Sequence, residues 1–269
     1  MLSIAEICGC GGGKPENSNG DSPVDGAGGD SASETRQSDA RRKARPHYNR
    51  GCVLQDHEQL EEAIRAYQTA ISLDSKYEDA YFNLGSALLA KGDLGAAATA
   101  CEAAIRLRPD YTAAYYNLGY IRQDQDRLND AIRAFSRAVY YEPNDAEGWI
   151  HLGNVLRAKE TPAEMQRAID AYRKAVEVQN NNVMAHYNLG AGLQDIGDVE
   201  GAIESFMIAL EMDPDNVDAL YNLGLCHEEK KEYTESLRCF ELAYQRDPSF
   251  AEANEAAEKM REIMKEGES

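Results

Sequence analysis

The first fifteen residues contain a glycine-rich segment that ends in lysine, and glycine and lysine are residue types that bind phosphate in nucleotide sites. Residues 9–14 read Gly-Cys-Gly-Gly-Gly-Lys. A phosphate-binding loop needs glycine at its first position and Ser or Thr after the lysine, so that backbone N–H groups and a hydroxyl meet the phosphate and its Mg²⁺. In this chain Cys8 stands at the first position and Pro15 follows Lys14. We therefore predict that this segment is not a nucleotide site.

The cysteines and histidines lack the spacing of a metal or nucleophilic site. A structural zinc site takes about four ligands, whereas Cys8 and Cys10 have no histidine near them. Cys52 and Cys226 could act as nucleophiles, but a small buried thiol is the favoured interpretation. We predict no catalytic residue, no metal site and no cofactor, and a protein that is not an enzyme.

A recurring glycine is the feature that organises most of the chain. Successive copies lie 34 residues apart, except for one interval of 37 residues, at Gly51, Gly85, Gly119, Gly153, Gly190 and Gly224. A fixed 34-residue period is typical of stacked helix-turn-helix arrays. Because glycine in a helix costs about 1 kcal/mol relative to alanine, its recurrence indicates a close approach between two helices.

Other positions keep the same period. Leucine precedes the glycine in every repeat but the first. Alanine follows the glycine in every repeat but the last, twelve residues later in most repeats and fifteen residues later in the longer fourth repeat. Four residues beyond that position are Tyr67, Cys101, Phe135, Tyr172, Phe206 and Phe240. In the stretch from Ala131 to Val139, apolar residues recur at intervals of three and four, which predicts one buried face of a helix.

Proline recurs near the end of four repeats, at Pro109, Pro143, Pro214 and Pro248. These positions together resemble the tetratricopeptide repeat, which carries Leu-Gly, Ala-x3-aromatic and Pro in this order. The resemblance implies an all-α fold, a right-handed α-solenoid of six helix-turn-helix repeats with a C-terminal capping helix. The predicted repeats are residues 44–77, 78–111, 112–145, 146–182, 183–216 and 217–250. In the longer fourth repeat, Thr161, Pro162 and Glu164 form a capping box that predicts an early start for the second helix.

The two ends of the chain differ from the repeats. Residues 1–43 are rich in glycine and serine and poor in large apolar residues, so we predict a disordered tail. Residues 251–269 are predicted to form a capping helix and a short tail, and the apolar face of the helix is expected to carry Ala253, Ala256, Ala257, Met260 and Met264. Residues 41–45 form a basic cluster, which we interpret as a charged segment at the start of the first repeat or as a nuclear-import signal.

The charge of the chain restricts its partners. The net charge is −19, and −17 of it falls on residues 44–269. Such a surface repels nucleic acid and anionic membranes, so we expect neither as a partner and favour a basic or neutral protein or peptide. No apolar stretch reaches the roughly 18 residues that span a bilayer. We predict a cytoplasmic location, with a nuclear one possible, and leave the oligomeric state open.

The family resemblance implies that partners bind a concave surface lined by the first helix of each repeat. This surface would carry a tyrosine-asparagine ladder at Tyr48-Asn49, Phe82-Asn83, Tyr116-Asn117, Tyr187-Asn188 and Tyr221-Asn222, interrupted by Ile150-His151. An asparagine amide can pair with a peptide backbone of any sequence. The alternative is that the Tyr-Asn pair serves repeat packing.

Acidic residues are expected on the same surface, which would make the groove acidic. They are Asp56, Asp124, Asp195, Glu228 and Glu229, together with Asp79, Glu147 and Asp218. In the resembled family, chaperone-tail binders use lysines and arginines to clamp a carboxylate. Because Tyr48, Phe82 and Tyr116 occupy the corresponding positions, we do not expect capture of an acidic chaperone tail.

The predicted function is a non-catalytic scaffold or adaptor that binds peptide segments in this acidic groove. One alternative is the substrate-recognition region of an enzyme that attaches N-acetylglucosamine to Ser and Thr, which the asparagine ladder resembles. A second alternative is a structural subunit of a larger complex.

Overall fold

The computed structural model describes residues 31–267, and their regular structure is helical throughout. The helices are α1 (Ser31–Asp56), α2 (Leu60–Leu73), α3 (Glu78–Ala90), α4 (Leu94–Leu107), α5 (Thr112–Asp124), α6 (Leu128–Tyr141), α7 (Ala146–Arg157), α8 (Pro162–Val178), α9 (Val183–Asp195), α10 (Val199–Met212), α11 (Val217–Glu229), α12 (Tyr233–Arg246) and α13 (Ala251–Gly267). The chain divides into two compact units, an N-terminal unit that ends at Tyr141 and a C-terminal unit that begins at Glu142.

Each unit is a series of consecutive helix pairs. In the N-terminal unit α1 packs on α2, α3 on α4 and α5 on α6. In the C-terminal unit α7 packs on α8, α9 on α10, and α11 on α12, which also contacts α13. The predicted all-α array of helix pairs is therefore confirmed.

The second helix of a repeat buries one face, as its apolar spacing predicts. In α6 the buried residues are Ala131, Ile132, Ala134, Phe135, Ala138 and Val139. Phe135 is fully buried, which stabilises the folded chain by about 1.5–3 kcal/mol relative to an exposed ring.

The recurring glycine lets this aromatic side chain lie against the first helix. A β-carbon at Gly119 would lie 2.6 Å from Cζ of Phe135, and one at Gly153 would lie 2.4 Å from Cε1 of Tyr172. Such distances are shorter than carbon atoms can approach, so any other residue would displace the ring. The steric need inferred from the glycine period is confirmed.

The long fourth repeat keeps its extra residues at the start of its second helix. Helix α8 has 17 residues, whereas α6 has 14. The side chain of Thr161 accepts a hydrogen bond from the backbone N–H of Glu164 at 3.3 Å, and Pro162 is the first helical residue. The capping interaction and the early start predicted from the sequence are confirmed.

Helix α1 begins well before the first predicted repeat. Residues 31–43 are helical, whereas a disordered tail was predicted for residues 1–43. Residues 1–30 of that predicted tail lie outside the described part of the chain. The side chain of Arg41 explains why the helix extends. It pairs with Asp74 at 2.5 Å and Glu78 at 2.9 Å, and its guanidinium lies 4.0 Å from the ring centroid of Tyr77.

Helix α13 covers the last apolar face of the C-terminal unit. Ala253, Ala257 and Met260 are buried, and Ala257 and Met260 pack in one cluster with Phe240. This is the arrangement expected of a capping helix. Within residues 31–267, no helix is long and apolar enough to cross a bilayer.

Candidate functional site

The ladder asparagines of the N-terminal unit form hydrogen bonds between repeats. The Nδ2 of Asn83 donates to the hydroxyl of Tyr48 at 3.0 Å, and that of Asn117 donates to Oγ of Ser86 at 2.8 Å. Both asparagines are buried, with exposed fractions of 7% and 4%. These contacts give the ladder a packing role, which is one of the two interpretations that the sequence left open.

The C-terminal unit repeats this arrangement once and departs from it once. Asn222 donates to the hydroxyl of Tyr187 at 3.3 Å and to the carbonyl oxygen of Asp218 at 2.9 Å. Asn188 is buried and donates to the carbonyl oxygen of Met184 in its own helix at 2.8 Å. The repeat before Asn188 has Ile150 at the ladder position, and a side chain without a hydroxyl offers no acceptor.

The ladder rings pack against the buried aromatic residues of the second helices. Tyr116 lies 6.3 Å from Phe135 between ring centroids, and Tyr187 lies 5.9 Å from Phe206. Tyr221 contacts Phe240 in the same way, at 5.4 Å. Each of the three tyrosines is half-buried, whereas Asn49 on α1 is exposed. A peptide-binding role for these residues stays a prediction.

Two acidic residues of the predicted groove form ion pairs within the C-terminal unit. Oδ2 of Asp195 accepts from Nε of Arg157 at 2.5 Å, which joins the end of α9 to the end of α7. Oε1 of Glu228 accepts from Nζ of Lys259 at 2.6 Å. These partners neutralise part of the acidity predicted from counting charges.

Of the other acidic residues predicted to line the groove, one forms an ion pair and five are exposed. Asp79 pairs with Arg108 and accepts from the hydroxyl of Tyr111 at 3.1 Å. The exposed candidates are Asp56, Asp124, Glu147, Asp218 and Glu229. None of these five side chains forms an ion pair with another described residue.

A pocket in the C-terminal unit brings two predicted site residues together. It has a volume of about 700 Å³ and is lined by Asn154, Arg157, Ala158, Glu160, Met165, Asn188 and Asp195. The predicted residues are Asn188 and Asp195, and we call this cavity the α7/α9 pocket. Asn154 and Met165 were not predicted from the sequence, because they lie outside the ladder. The insertion in the fourth repeat is the one sequence feature near Met165.

Hydrogen bonds fix the polar wall of the α7/α9 pocket. Oδ1 of Asn154 accepts from the hydroxyl of Tyr172 at 2.8 Å. The hydrogen bond to Asp195 raises the pKa of Arg157 above its ordinary value, so the guanidinium stays charged. The charged lining is one cation, Arg157, beside the carboxylates of Asp195 and Glu160, a balance that favours basic or neutral ligands.

Three of the described thiols, those of Cys101, Cys226 and Cys239, are poorly suited to nucleophilic chemistry. Burial raises the pKa of Cys226 and of Cys239 to about 11 and that of Cys101 to about 12. A nucleophilic cysteine reacts as the thiolate, and these shifts disfavour it. Among residues 31–267, no group of three or more His, Cys, Asp and Glu side chains is placed to hold a metal ion.

Tandem helix pairs, each with a glycine packed against a second-helix side chain, define the chain as a helical-repeat protein. A sequence model described as the tetratricopeptide repeat matches residues 48–112 and 187–249, and a second with the same description matches residues 88–152. The chain belongs to the tetratricopeptide repeat family. No curated protein sequence matches it significantly.

Solved structures share this fold. YrrB, described as a TPR protein with an unusual peptide-binding site, is 24% identical, with a TM-score of 0.62 over 72% of this chain and 98% of YrrB. MamA is 25% identical, with a TM-score of 0.60 over 66% of this chain and 96% of its own. MamA from Desulfovibrio magneticus RS-1, from residue 41 to the end, is 24% identical, with a TM-score of 0.59 over 65% and 97%. The family and the fold support a role in protein–protein interaction.

Proposed function

We propose that this protein is a non-catalytic adaptor that holds a basic or neutral segment of a partner protein in the α7/α9 pocket. The observation that carries the proposal is the meeting of Asn188 and Asp195, both predicted from the sequence, with Asn154 and Arg157 in one pocket. A volume of about 700 Å³ falls within the range of about 300–1,000 Å³ typical of ligand pockets.

The lining of the pocket suits a peptide. Asn154 uses its Oδ1 and Asn188 uses one N–H of its Nδ2 within the protein, so the remaining donors and acceptors of these amides can pair with the backbone of an extended segment. Met165 adds a flexible apolar contact of the kind that adapts to different side chains. The surplus carboxylate of the lining favours lysine or arginine in the bound segment.

The asparagine ladder contributes to this function indirectly. Because the amides of Asn83 and Asn117 are occupied between repeats, they hold the first helices in register. Asn188 differs because its donor bond lies within its own helix and its side chain lines the pocket. We therefore propose that the fourth and fifth repeats bind the partner segment.

Site-specific crosslinking tests the proposal. The photoreactive residue benzoylphenylalanine replaces Met165 in the full chain, and the crosslinked segments are identified by mass spectrometry after irradiation in a lysate. The matched control places the same residue at Met207, which is 50% exposed on α10 and does not line the pocket. We expect segments rich in basic or neutral residues at Met165 and not at Met207.

Charge variants test the recognition itself. Glu160→Gln with Asp195→Asn removes both lining carboxylates and should reduce crosslinking and its salt dependence. Glu204→Gln with Glu211→Gln removes two exposed charges from α10 and should leave both unchanged. Equal crosslinking at Met165 and Met207 would contradict the proposal. A salt-resistant set of partners in fixed ratio would instead indicate a permanent complex.

A further inference from the structure

The N-terminal unit contains a second pocket whose charge is opposite to that of the chain. This pocket has a volume of about 250 Å³ and lies among α4, α5 and α6. Its lining residues are Glu102, Tyr115, Leu118, Arg122, Arg127, Asp130, Arg133, Ala134 and Arg137. We call it the arginine pocket, because it gathers four arginines in a chain whose net charge is −19.

The arginine deepest in this pocket is held in place from two sides. Nη2 of Arg122 donates to Oε1 of Glu102 at 2.5 Å, and Nη1 donates to Oε1 of Gln125 at 2.8 Å. The side chain of Arg122 is 12% exposed. A guanidinium fixed in this way loses little conformational freedom when it binds an anion.

Two of the other three arginines share a single carboxylate. Asp130, in the first turn of α6, pairs with both Arg127 and Arg133. Arg137 forms no ion pair with any carboxylate in residues 31–267. Burial raises the pKa of Tyr115, and the positive charge of the nearby Arg137 acts against that increase. The lining therefore carries two more positive than negative charges.

We propose that the arginine pocket binds the phosphate group of a phosphorylated serine or threonine in a segment of a partner protein. A phosphoserine carries about −1.5 to −2 charges at neutral pH, which matches the surplus of the lining. Guanidinium groups bind phosphate through paired N–H donors. The carboxylate of Asp130 shows that Arg127 and Arg133 already converge on one anionic group.

The pocket and the charge of the chain favour a peptide as the source of the phosphate. Tyr115, Leu118 and Ala134 supply apolar and aromatic contacts for the residues beside the phosphate. A nucleic acid would bring many phosphates against a chain of net charge −19, and the repulsion would grow with its length. A single phosphate in a short segment meets the arginines without that cost.

Direct binding to phosphopeptides tests this proposal. The full chain is titrated with a fluorescent peptide library that has phosphoserine fixed at its centre, and with a matched library that has serine there. We expect at least about tenfold tighter binding of the phosphorylated library at low salt, because one charge-assisted hydrogen bond is worth about that factor. Equal binding of the two libraries, or binding of neither, would overturn the proposal.

Loss of arginines should weaken binding while the fold is kept. The variant Arg133→Gln with Arg137→Gln should bind the phosphorylated library at least about tenfold more weakly. The control, Arg65→Gln with Arg106→Gln, removes two exposed arginines of the same unit that do not line the pocket, and should bind as the unmodified chain does. An equal loss of affinity in both variants would show that only the long-range charge of the chain matters, and would overturn the assignment of the binding site to this pocket.

A gain of affinity gives the sharper test, because misfolding cannot produce it. Asp130→Asn removes the internal carboxylate that competes for Arg127 and Arg133, and should tighten binding of the phosphorylated library. Asp126→Asn removes an exposed charge from the preceding turn and serves as the matched control. Weaker binding by Asp130→Asn than by Asp126→Asn would contradict the proposed site.

Two further probes distinguish the source of the phosphate. The first probe is a vesicle that contains phosphatidic acid, and the second is a single-stranded oligonucleotide. Each is tested as a competitor of the phosphopeptide library under the same conditions. We expect neither probe to compete with the library. If one of these probes competes with the library, and the variant Arg133→Gln with Arg137→Gln no longer binds that probe, the probe and not the phosphopeptide would be the ligand of the arginine pocket. Because the arginine pocket is in the N-terminal unit, this outcome is independent of the α7/α9 pocket.

Discussion

At the scale of single residues, each buried ladder asparagine forms a hydrogen bond with the acceptor that its surroundings supply. Asn83 donates to the hydroxyl of Tyr48 in the preceding repeat. Where the preceding repeat has Phe82 or Ile150, no hydroxyl is present, and the following asparagine donates to a different acceptor. A buried amide without a partner costs about 1–3 kcal/mol, which explains why each of these amides is occupied.

Removal of one ladder hydroxyl should measure this interaction. Tyr48→Phe leaves the Nδ2 of buried Asn83 with only the weak acceptor Sγ of Cys52, at 3.5 Å. We expect the free energy of unfolding to fall by about 0.5–1.5 kcal/mol, as measured by urea denaturation. Tyr187→Phe is the matched control and should cost less, because Asn222 keeps the carbonyl oxygen of Asp218. An equal loss of stability in the two variants would show that the burial of Asn83 does not increase the cost of removing its acceptor.

The repeat glycine makes a steric prediction. Gly119→Ala places a methyl group against Phe135, and overpacking of this kind costs about 1–3 kcal/mol. The control is Gly95→Ala in α4, where the nearest atom to the new methyl group is Oδ1 of Asp93 at 3.8 Å. Gly95 lies in the first turn of α4, where alanine gains less helix propensity than in a helix interior, so a lower stability of Gly119→Ala than of Gly95→Ala isolates the clash. Equal stability of the two variants would contradict the packing explanation.

The buried thiols predict how stability depends on pH. Because burial raises the pKa of Cys239 from 9.0 to about 11, the folded chain keeps its thiol proton where the unfolded chain has lost it. The resulting stability is complete below pH 9.0 and is lost as the pH rises through about 11. In this window each such group contributes a slope of about 1.4 kcal/mol per pH unit.

Thermal melting across this pH range checks the prediction. The melting temperature of Cys239→Ala should fall less steeply between pH 9 and 11 than that of the unmodified chain, because one titrating group has been removed. Loss of the side chain should lower stability at every pH, so the difference in slope is the informative quantity. Parallel curves would show that the thiol ionises at the same pH in the folded and unfolded chains.

At the scale of elements, α1 shows how one side chain extends a helix beyond its repeat. Pro46 lies inside α1, where a proline costs about 3 kcal/mol because it removes a hydrogen bond and crowds the preceding turn. Arg41 helps to offset this cost through Asp74, Glu78 and the ring of Tyr77. The first half of α1 therefore depends on contacts with the connection between α2 and α3 and with the first residue of α3.

Substitution of this arginine should release the start of α1. In Arg41→Ala we expect faster amide hydrogen exchange over residues 37–45, with little change in the second half of the helix. Arg42→Ala is the adjacent control, because its side chain is 80% exposed and pairs with Asp39 at 3.2 Å. Exposed pairs contribute about 0–1 kcal/mol, so exchange in that variant should stay near that of the unmodified chain. Faster exchange in both variants would indicate a general loss of helix charge interactions.

At the scale of the whole molecule, each of the two units has its own buried core. Phe135 is fully buried in the N-terminal unit and Phe240 in the C-terminal unit. In repeat arrays each repeat contacts its neighbours, so stability is approximately a sum of local terms. Damage to one core should therefore remain local.

Core substitutions in each unit test this expectation. Phe135→Ala and Phe240→Ala each remove a buried ring at a cost of about 3–5 kcal/mol. Hydrogen exchange measured by mass spectrometry should accelerate mainly up to Tyr141 in the first variant and mainly from Glu142 in the second. Equal acceleration in both units for either variant would show that the array unfolds as one cooperative body.

Most of the fold could be predicted from the sequence, because its determinants repeat locally. The glycine at Gly119 and the aromatic residue at Phe135 are sixteen residues apart, and their contact recurs in the other repeats with small variations. The start of α1 could not be predicted in this way. It depends on Arg41 reaching residues more than thirty positions away, and no repeat provides a precedent.

The sequence by itself determined the helix pairs, the glycine contacts and the cap at Thr161, because apolar spacing and capping act within a single repeat. It also determined the net charge, which is a property of composition. The tertiary structure decided where that charge is cancelled, as it is between Asp195 and Arg157. It also decided which amides face a pocket and where four arginines meet, because side chains from separate helices become neighbours only when the helices pack.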